Sequence, residues 1–543
     1  MANRLETSKG MLALVLHAHL PFVRHPEHER FLEEKWLYEA LSETYLPLLR
    51  VFRGLEADGV PFRLTISLSP TLTAMFEDQL LQERYVAHLD RLLELGDKEL
   101  ARLAGDEAGL CVVEMYRELL RNNREDFLDL YEGNVINGFR HFHQTGHLEL
   151  ITTTATHAFL PMYREHADMI RNQVLIAIEN HDRLFKAMPE GIWLPECGYF
   201  PGLEEHLKPY GIKYFFSSAH GVLHADERPE YGVYAPVRTS NGVAVFGRDR
   251  AACNAIWSSE DGFPGHPDYR DFYRDIGFDL PEEYIAPYAI DAGNRVNTGF
   301  KYHAITGATD QKVLYDPAKG TARAHVDAET FLYNRIRQSE TLSELMDRPP
   351  VIVAPFDAEL FGHWWFEGPQ FLDAFFRKFH STEHDLVQVS PSEYLHVWPH
   401  VQVARPAFSS WGDKGYGQVW LDGSNDWIYR HTHKLVERMR ELVDRFPNEK
   451  GLKLRTLNQA ARELLLSQAS DWPFIIKTGT TVPYAERRIR SHIHNFNTIY
   501  ESLCRNTVKT EWLTKLEKRN NIFSDIDYRV FGDQSPLRRK KKA

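Results

Sequence analysis

Two short segments of the 543-residue chain each set one carboxylate among aromatic rings. GIWLPECGYF, from Gly191, places Glu196 between Trp193 and Tyr199. APFDAELFGHWWFEG, from Ala354, places Asp357 ahead of Glu359, His363, Trp364 and Trp365. Each acid follows a short apolar run of the kind that forms a buried strand. Two carboxylates at two strand ends of one barrel can face each other across a cleft. Such a pair cleaves glycosidic bonds: one attacks the anomeric carbon, and the other protonates the leaving oxygen and later deprotonates the acceptor. Either acid taken alone serves equally well as a structural ion-pair partner. The indoles and imidazoles around them favour a sugar site, because the apolar C–H faces of sugar rings stack on indole.

His17 and His19 alternate on the first apolar run, so both rings share one face. Two readings follow. Both rings bind one metal, with His157 as third ligand and Asp357 or Glu196 completing the set. Alternatively the imidazoles bond sugar hydroxyls or orient the nucleophile. The second is preferred, because the acid pair has a use without metal and the cysteines lie outside any ligand spacing; neither metal nor cofactor is expected. His17, His19, His157, Trp193 and His363 therefore join the candidate substrate contacts. Cys197 is read as packing beside Glu196. SSWGDKGYGQVWLDGSNDWIY, from Ser409, displays Trp411, Tyr416 and Trp420 on glycine-rich turns that suit a sugar platform, whereas Trp427 opens a helix and belongs to the core. Asp471, in SDWPF, is either a helix cap or a reach toward a sugar hydroxyl.

These residues need a frame that gathers strand ends. Short apolar runs that end in polar residues recur: Met11 to Leu16, Phe62 to Leu68, Leu148 to Thr154, Gly191 to Leu194, Lys213 to Phe216, Val243 to Phe246 and Val351 to Ala354. Helix-period stretches lie between most of them, among them Leu37 to Leu55, Asp168 to Ala187 and Ala328 to Leu345. Strand, polar end and helix, repeated about seven times, read as an α/β fold built on a (β/α) barrel or a distorted relative. Active sites of such barrels gather at the carboxyl ends of the strands. Residues 1–76 and 146–405 are assigned to the barrel. Residues 77–145 read as a helical insertion over its mouth, 406–530 as a C-terminal α-helical domain and 531–543 as a basic tail. The long connection over 220–310 is rich in Gly, Pro, Asp and Tyr, and its aromatics disfavour disorder.

Bulk properties narrow the partners. A net charge of −12 argues against nucleic acid. Arg538 to Lys542 form a short terminal basic run, read as a solvated end. No apolar stretch reaches the roughly 18 residues that a membrane span needs. The four cysteines, Cys111, Cys197, Cys253 and Cys504, form no C-x-x-C pair, which fits a reducing compartment, and the first ten residues carry no apolar signal core. A cytoplasmic location is expected; oligomeric state is not readable.

HAHLP from His17, the LELITTTATH run ending at His157, WLPECGY from Trp193, PFDAELFGHWWFEG from Pro355 and WGDKGYGQVW from Trp411 together resemble the signature regions of glycoside hydrolase family 57. The likeness covers almost the whole chain. With ASDWPF from Ala469 it resembles the family's α-1,4-glucan branching enzymes more than its 4-α-glucanotransferases or pullulanases, and it is also similar to members described as α-amylases. The resemblance implies an incomplete (β/α)7 barrel and a retaining mechanism without metal. It implies Glu196 as nucleophile, Asp357 as acid/base and an α-glucan partner such as amylose, glycogen or a starch-like polymer. His17, Trp364, Trp411, Trp420 and Asp471 match cleft positions, as more weakly do Arg270 and Gly299. Some branching enzymes of the family carry a mobile loop whose tyrosine covers the cleft. Here YGVYAPVRTSNGVAVFGR, from Tyr231, is compact, and neither Tyr231 nor Tyr234 matches that tyrosine. A metal-dependent hydrolase or deacetylase and a non-catalytic glucan-binding protein are the competing classes.

Overall fold

The computed structural model describes residues 8–258, 261–291, 293–307, 309 and 311–532; the basic residues Arg538 to Lys542 lie outside the described residues. Chain order gives β1 (Gly10–Ala18), β2 (Leu64–Leu68), β3 (Leu148–Ile151), β4 (Gly191–Ile192), β5 (Tyr214–Ser217), β6 (Val237–Arg238), β7 (Ala244–Gly247), β8 (Val351–Asp357) and β9 (Leu386–Gln388). One sheet runs β8-β1-β2-β3 and a second runs β4-β5-β7-β6. Every pairing in them is parallel except that of β6 with β7. Two thin seams join the sheets into a ring. Thr152 bridges Ile192 between β3 and β4, and the Asp249 amide donates to the Val353 carbonyl at 2.8 Å between β7 and β8. Seven parallel strands thus form a barrel that is incomplete at both seams. β9 shares an edge of β1 with β2, pairing Gly10 to Leu12 while β2 takes Val15 to Ala18.

Strand parity sorts the side chains, because successive residues of a strand point to opposite faces. Met11, Ala13 and Val15 of β1 pack inside with Val351 and Val353 of β8 and with Tyr214, Phe216 and Phe246. Leu12, Leu14 and Leu16 point outward, with Ile352, Ala354 and Phe356, into the larger core against the helices. Each fully buried aliphatic side chain contributes about 1.5–3 kcal/mol, so a one-residue slip, which would invert both faces, is strongly disfavoured. The register pairs Met11 with Val351 and, at the far end, His17 with Asp357. The inward parity that buries valines at the bottom therefore delivers an imidazole and a carboxyl side by side at the top.

The outer layer is helical but uneven. Helical segments Lys35–Ala40, Leu41–Tyr45 and Leu46–Ala57 run on without a break, the middle one with π geometry. Gln79–Arg102 and Glu107–Glu125 share the core that covers the barrel's outer face. Ala167–Phe185, Pro317–Ser343 and Gly368–Ser381 follow β3, β7 and β8. Between β4 and β5 the chain has only three short 3-10 turns, Pro195–Cys197, Leu203–His206 and Lys208–Tyr210. Beyond the barrel come Trp427–Arg445, Gly451–Ser467, Asp471–Thr478, Val482–Arg505 and Thr510–Arg519. Leu435, Leu457 and Phe496 from these helices close a second core against Ile192, Leu194 and Phe215. Among the described residues no helix is long and apolar enough to cross a membrane.

Candidate active site

Glu196 follows β4 in a turn whose backbone is left-handed at Glu196 (φ 62°) and at Cys197 (φ 49°). Such angles cost about 1–3 kcal/mol for non-glycine residues and persist only where surrounding contacts impose them. Those contacts are visible. The Trp411 amide donates to the Glu196 carbonyl at 2.9 Å, and the Tyr199 and Ser409 backbones pair in both directions. The Glu196 carboxylate accepts from Trp411 Nε1 at 2.8 Å on Oε2, and its Oε1 lies 2.9 Å from Ser470 Oγ.

Histidines line the other side. His17 lies 2.9 Å from His157 through their Nε2 atoms and 3.2 Å from Ser67 Oγ through Nδ1. His157 Nδ1 lies 2.8 Å from Ser470 Oγ and 3.7 Å from Glu196 Oε1. His19 stacks on His157 with centroids 3.8 Å apart, and its Nε2 is 3.1 Å from both Asp471 oxygens. The His19 amide donates to Glu359 Oε1 at 3.1 Å, where the Tyr45 hydroxyl also donates. Tyr45 comes from the π segment, a geometry that recurs at functional sites.

The two acids differ in their surroundings. Burial pushes Glu196 up to about 7 against the Trp411 and Ser470 bonds, which favour its charge. Burial pushes Asp357 well above the usual carboxylate range, and the charges of Glu359 and Glu196 push the same way against Arg248. Glu196 thus has two donors ready for its charge, while Asp357 faces two other carboxylates. That contrast marks Glu196 as the group that ionises first and Asp357 as the one that keeps its proton. Burial disfavours a charged His19, yet Asp471 holds its imidazole above the ordinary value.

Several residues expected on the cleft wall are closed off from it. Trp193 is 0%, Trp420 1%, His17 2%, His157 3% and Arg270 2% exposed. Trp193 lies under His17 at 4.9 Å, and Trp420 stacks on Phe159 at 4.8 Å. His17 and His157 use both ring nitrogens on protein partners. Arg270 pairs with Glu43 at 3.3 Å and lies over the Phe366 ring at 4.3 Å. Glu43 in turn holds His363 Nδ1 at 2.6 Å. Gly299 sits at φ 94° and its amide donates to Asp275 at 2.8 Å, a turn-forming role in the long connection. In this conformation Trp193, Trp420, His17, His157 and Arg270 spend their ring faces or polar atoms on protein partners.

Trp364 is 53% exposed and stacks on Phe272 at 4.4 Å, making an open platform. Trp411 carries Arg248 over its ring at 5.0 Å and meets Trp257 edge-on at 5.9 Å. The sequence reading passed over Ser470, Tyr45, Arg248, Trp257 and Phe272. For Ser470 a signal existed, since it immediately precedes Asp471; the others reach the site only through tertiary contacts. Tyr231 lies under Arg348 at 5.2 Å, and the Tyr234 carbonyl accepts from the Val351 amide at 2.8 Å. Both contacts are at the amino end of β8, six residues before Asp357, or about 20 Å along a strand. Neither tyrosine covers the cleft.

Among the described residues the groups placed together like metal ligands differ from the His17, His19 and His157 set of the alternative reading: His19, His157 and Asp471 each bring a ligand atom within 4.8 Å of the others. Their donors already satisfy one another, Ser69, Ser470 and His17. The chemistry available without metal is that of two partly buried carboxyl groups of unequal acidity.

The model of glycosyl hydrolase family 57 matches residues 13–405, and that of the 1,4-alpha-glucan branching enzyme C-terminal region matches residues 431–531. The chain is 30% identical to the 1,4-alpha-glucan branching enzyme TK1436 of Thermococcus kodakarensis, over 97% of this chain and 79% of that one. It is 42% identical to the α-amylase AmyC of Thermotoga maritima, whose crystal structure superposes with a TM-score of 0.90 over 97% of this chain and 99% of that one. The branching enzyme of Pyrococcus horikoshii superposes with a TM-score of 0.86 at 29% identity, over 97% and 98% of the two chains.

Proposed function

The chain belongs to glycoside hydrolase family 57, and from that premise we propose that it is a 1,4-α-glucan branching enzyme working by double displacement. Glu196 attacks the anomeric carbon of an α-1,4-linked glucose while Asp357 gives its proton to the departing 4-oxygen. The chain is then held as an ester on Glu196. Asp357, now ionised, takes the proton of an incoming 6-hydroxyl, whose oxygen displaces Glu196. Two inversions give net retention, and an α-1,6 branch results. The feature that carries the branching reading is the helical region after residue 430. It is similar to branching-enzyme C-terminal regions, and it supplies Ser470 to the nucleophile and Asp471 to His19. An α-glucan such as amylose, glycogen or a starch-like polymer is the substrate of this reading. A role in glycogen or related α-glucan metabolism in the cytoplasm fits a chain whose four cysteines are all free.

A second reading, α-amylase-like hydrolysis, is favoured by one observation. The tyrosines of the compact 231–248 segment lie away from the cleft, so they cannot shield the ester from water. The chain's 42% identity to an α-amylase points the same way. Branching and hydrolysis share the first half-reaction and differ only in the acceptor. Proton NMR of amylose after treatment separates them. Branching gives new α-1,6 anomeric signals without a matching rise in reducing ends; reducing ends without α-1,6 signals would establish hydrolysis instead.

A further inference from the structure

Ser67, His17, His157, Ser470 and Glu196 form an unbroken line of side-chain contacts, 3.2, 2.9, 2.8 and 2.9 Å in turn. The first four residues are buried. The line has a direction. A neutral imidazole carries one donor nitrogen and one acceptor, and a hydroxyl donates one proton. An ionised Glu196 only accepts, so Ser470 Oγ donates to Oε1. Ser470 must then accept from His157, which places that ring's proton on Nδ1. His157 Nε2 is left as an acceptor, so His17 donates from its own Nε2. His17 Nδ1 accepts in turn from Ser67 Oγ. Each step follows from the one before, provided that both rings are neutral. Burial supports this by holding both imidazoles well below their ordinary range.

We propose that Ser470 is a positioning residue for Glu196, its hydroxyl locked in the donating orientation by the His157–His17–Ser67 chain; this rests on Glu196 being the nucleophile. Turning the hydroxyl away would set its proton against the Nδ1–H of His157. Reversing the whole line requires two buried imidazoles to change tautomer. The backbone braces the same point: the Ser470 amide donates to the His157 carbonyl at 3.0 Å, Ala158 bridges Ala469, and His157 is itself left-handed at φ 56°. Charge leaves Glu196 when the ester forms and returns when the acceptor displaces it. Ser470 and Trp411 receive that returning charge without reorientation, the condition under which fixed donors assist most. Ser470 also lies outside the barrel strands, so the C-terminal helical region controls the nucleophile directly.

The test is the pH profile of kcat/KM on amylose for the full chain and for Ser470→Ala, Ser470→Thr and Glu196→Gln. Titratable groups facing Glu196 are Asp471, His19, His157, Asp357, Cys197 and Tyr429, and all remain in the Ser470 variants. Losing one donor to the carboxylate moves the acid limb of Ser470→Ala up by about one pH unit, with kcat/KM about tenfold lower below it. Ser470→Thr, which keeps the hydroxyl, retains the original limb. A limb that stays in place in Ser470→Ala, whatever the loss of rate, overturns the proposal, as does an equal shift in Ser470→Thr. Glu196→Gln separates the two claims. Substantial turnover in that variant sinks the nucleophile assignment itself, whereas an inactive Glu196→Gln beside an unmoved Ser470→Ala limb sinks only the positioning role.

Discussion

Glu196 and Asp357 stand out in the sequence as acids at strand ends in aromatic company, and the resemblance to the family is what proposes a role for each. What sequence does not carry is how each is held. Trp411 arrives from more than two hundred positions away to donate to Glu196, and no local pattern announces that bond. Removing it tests its weight: Trp411→Phe keeps the ring but loses the donor. It should cost about 1–2 kcal/mol of transition-state stabilisation, roughly a tenfold drop in kcat/KM with the fold intact. The same electrostatics fix a pH profile. In the proposed mechanism Glu196 is ionised to attack, and its carboxyl is pushed up to about 7, so kcat/KM should rise as pH increases through that value. The proposed acid, Asp357, has to be protonated in the first step and is held well above the carboxylate range, so activity should decline again at higher pH as that proton is lost. A bell-shaped profile centred above neutrality is the expected measurement. An acid limb near pH 4 would mean that Glu196 is more exposed in the working enzyme.

At the scale of elements, the barrel strands could be read from apolar runs, and their polar ends followed. β6 and β9 escaped notice because strands of two and three residues carry no periodicity. The π segment escaped for a different reason. Leu37 to Leu55 has an ordinary helical apolar pattern, and the extra residue per turn shows only in what the segment meets. It meets the loop after β8. Gly362 has φ 121°, and a Cβ there would lie 1.8 Å from the Glu43 carbonyl oxygen. Only glycine lets this loop cross the π segment and bring His363 to Glu43. Gly362→Ala should therefore lower stability by roughly 3 kcal/mol or more, combining backbone strain with a clash against backbone. Chemical denaturation would measure it; a loss below about 0.5 kcal/mol would show that the crossing relaxes easily.

For the molecule as a whole, the helices after the barrel are expected from the sequence, with Asp471 among them as a cleft candidate; the contact of Ser470 with Glu196 is not. Amphipathic periodicity predicts that a helix buries one face; it does not say against what. Here the buried face covers β4 and β5 and presents Ser470 and Asp471 to the histidines. Arg488 fastens this region to the barrel's first loop. Its guanidinium donates to the Phe22 carbonyl at 2.9 Å and the Tyr484 hydroxyl at 2.8 Å, and it lies over Trp472 at 5.4 Å, the residue after Asp471. Arg488→Ala takes the donor from the buried Phe22 carbonyl, while the Tyr484 hydroxyl keeps His25 Nε2 at 3.1 Å; the loss should cost roughly 1–3 kcal/mol and loosen the Asp471 turn. A lower melting temperature accompanied by reduced kcat/KM is the expected pair of results; unchanged kinetics would detach this anchor from the site.

The chemistry proposed for Glu196 can be observed directly by making the ester accumulate. With α-maltosyl fluoride, fluoride leaves without help from an acid, so an Asp357→Asn enzyme still forms the ester. It then lacks the base that activates the acceptor. The intact mass of that variant should rise by one maltosyl group, and digestion should place the addition on the peptide bearing Glu196. A maltosyl group found on another residue, or turnover to a β-configured product with no adduct, would contradict a retaining nucleophile at Glu196.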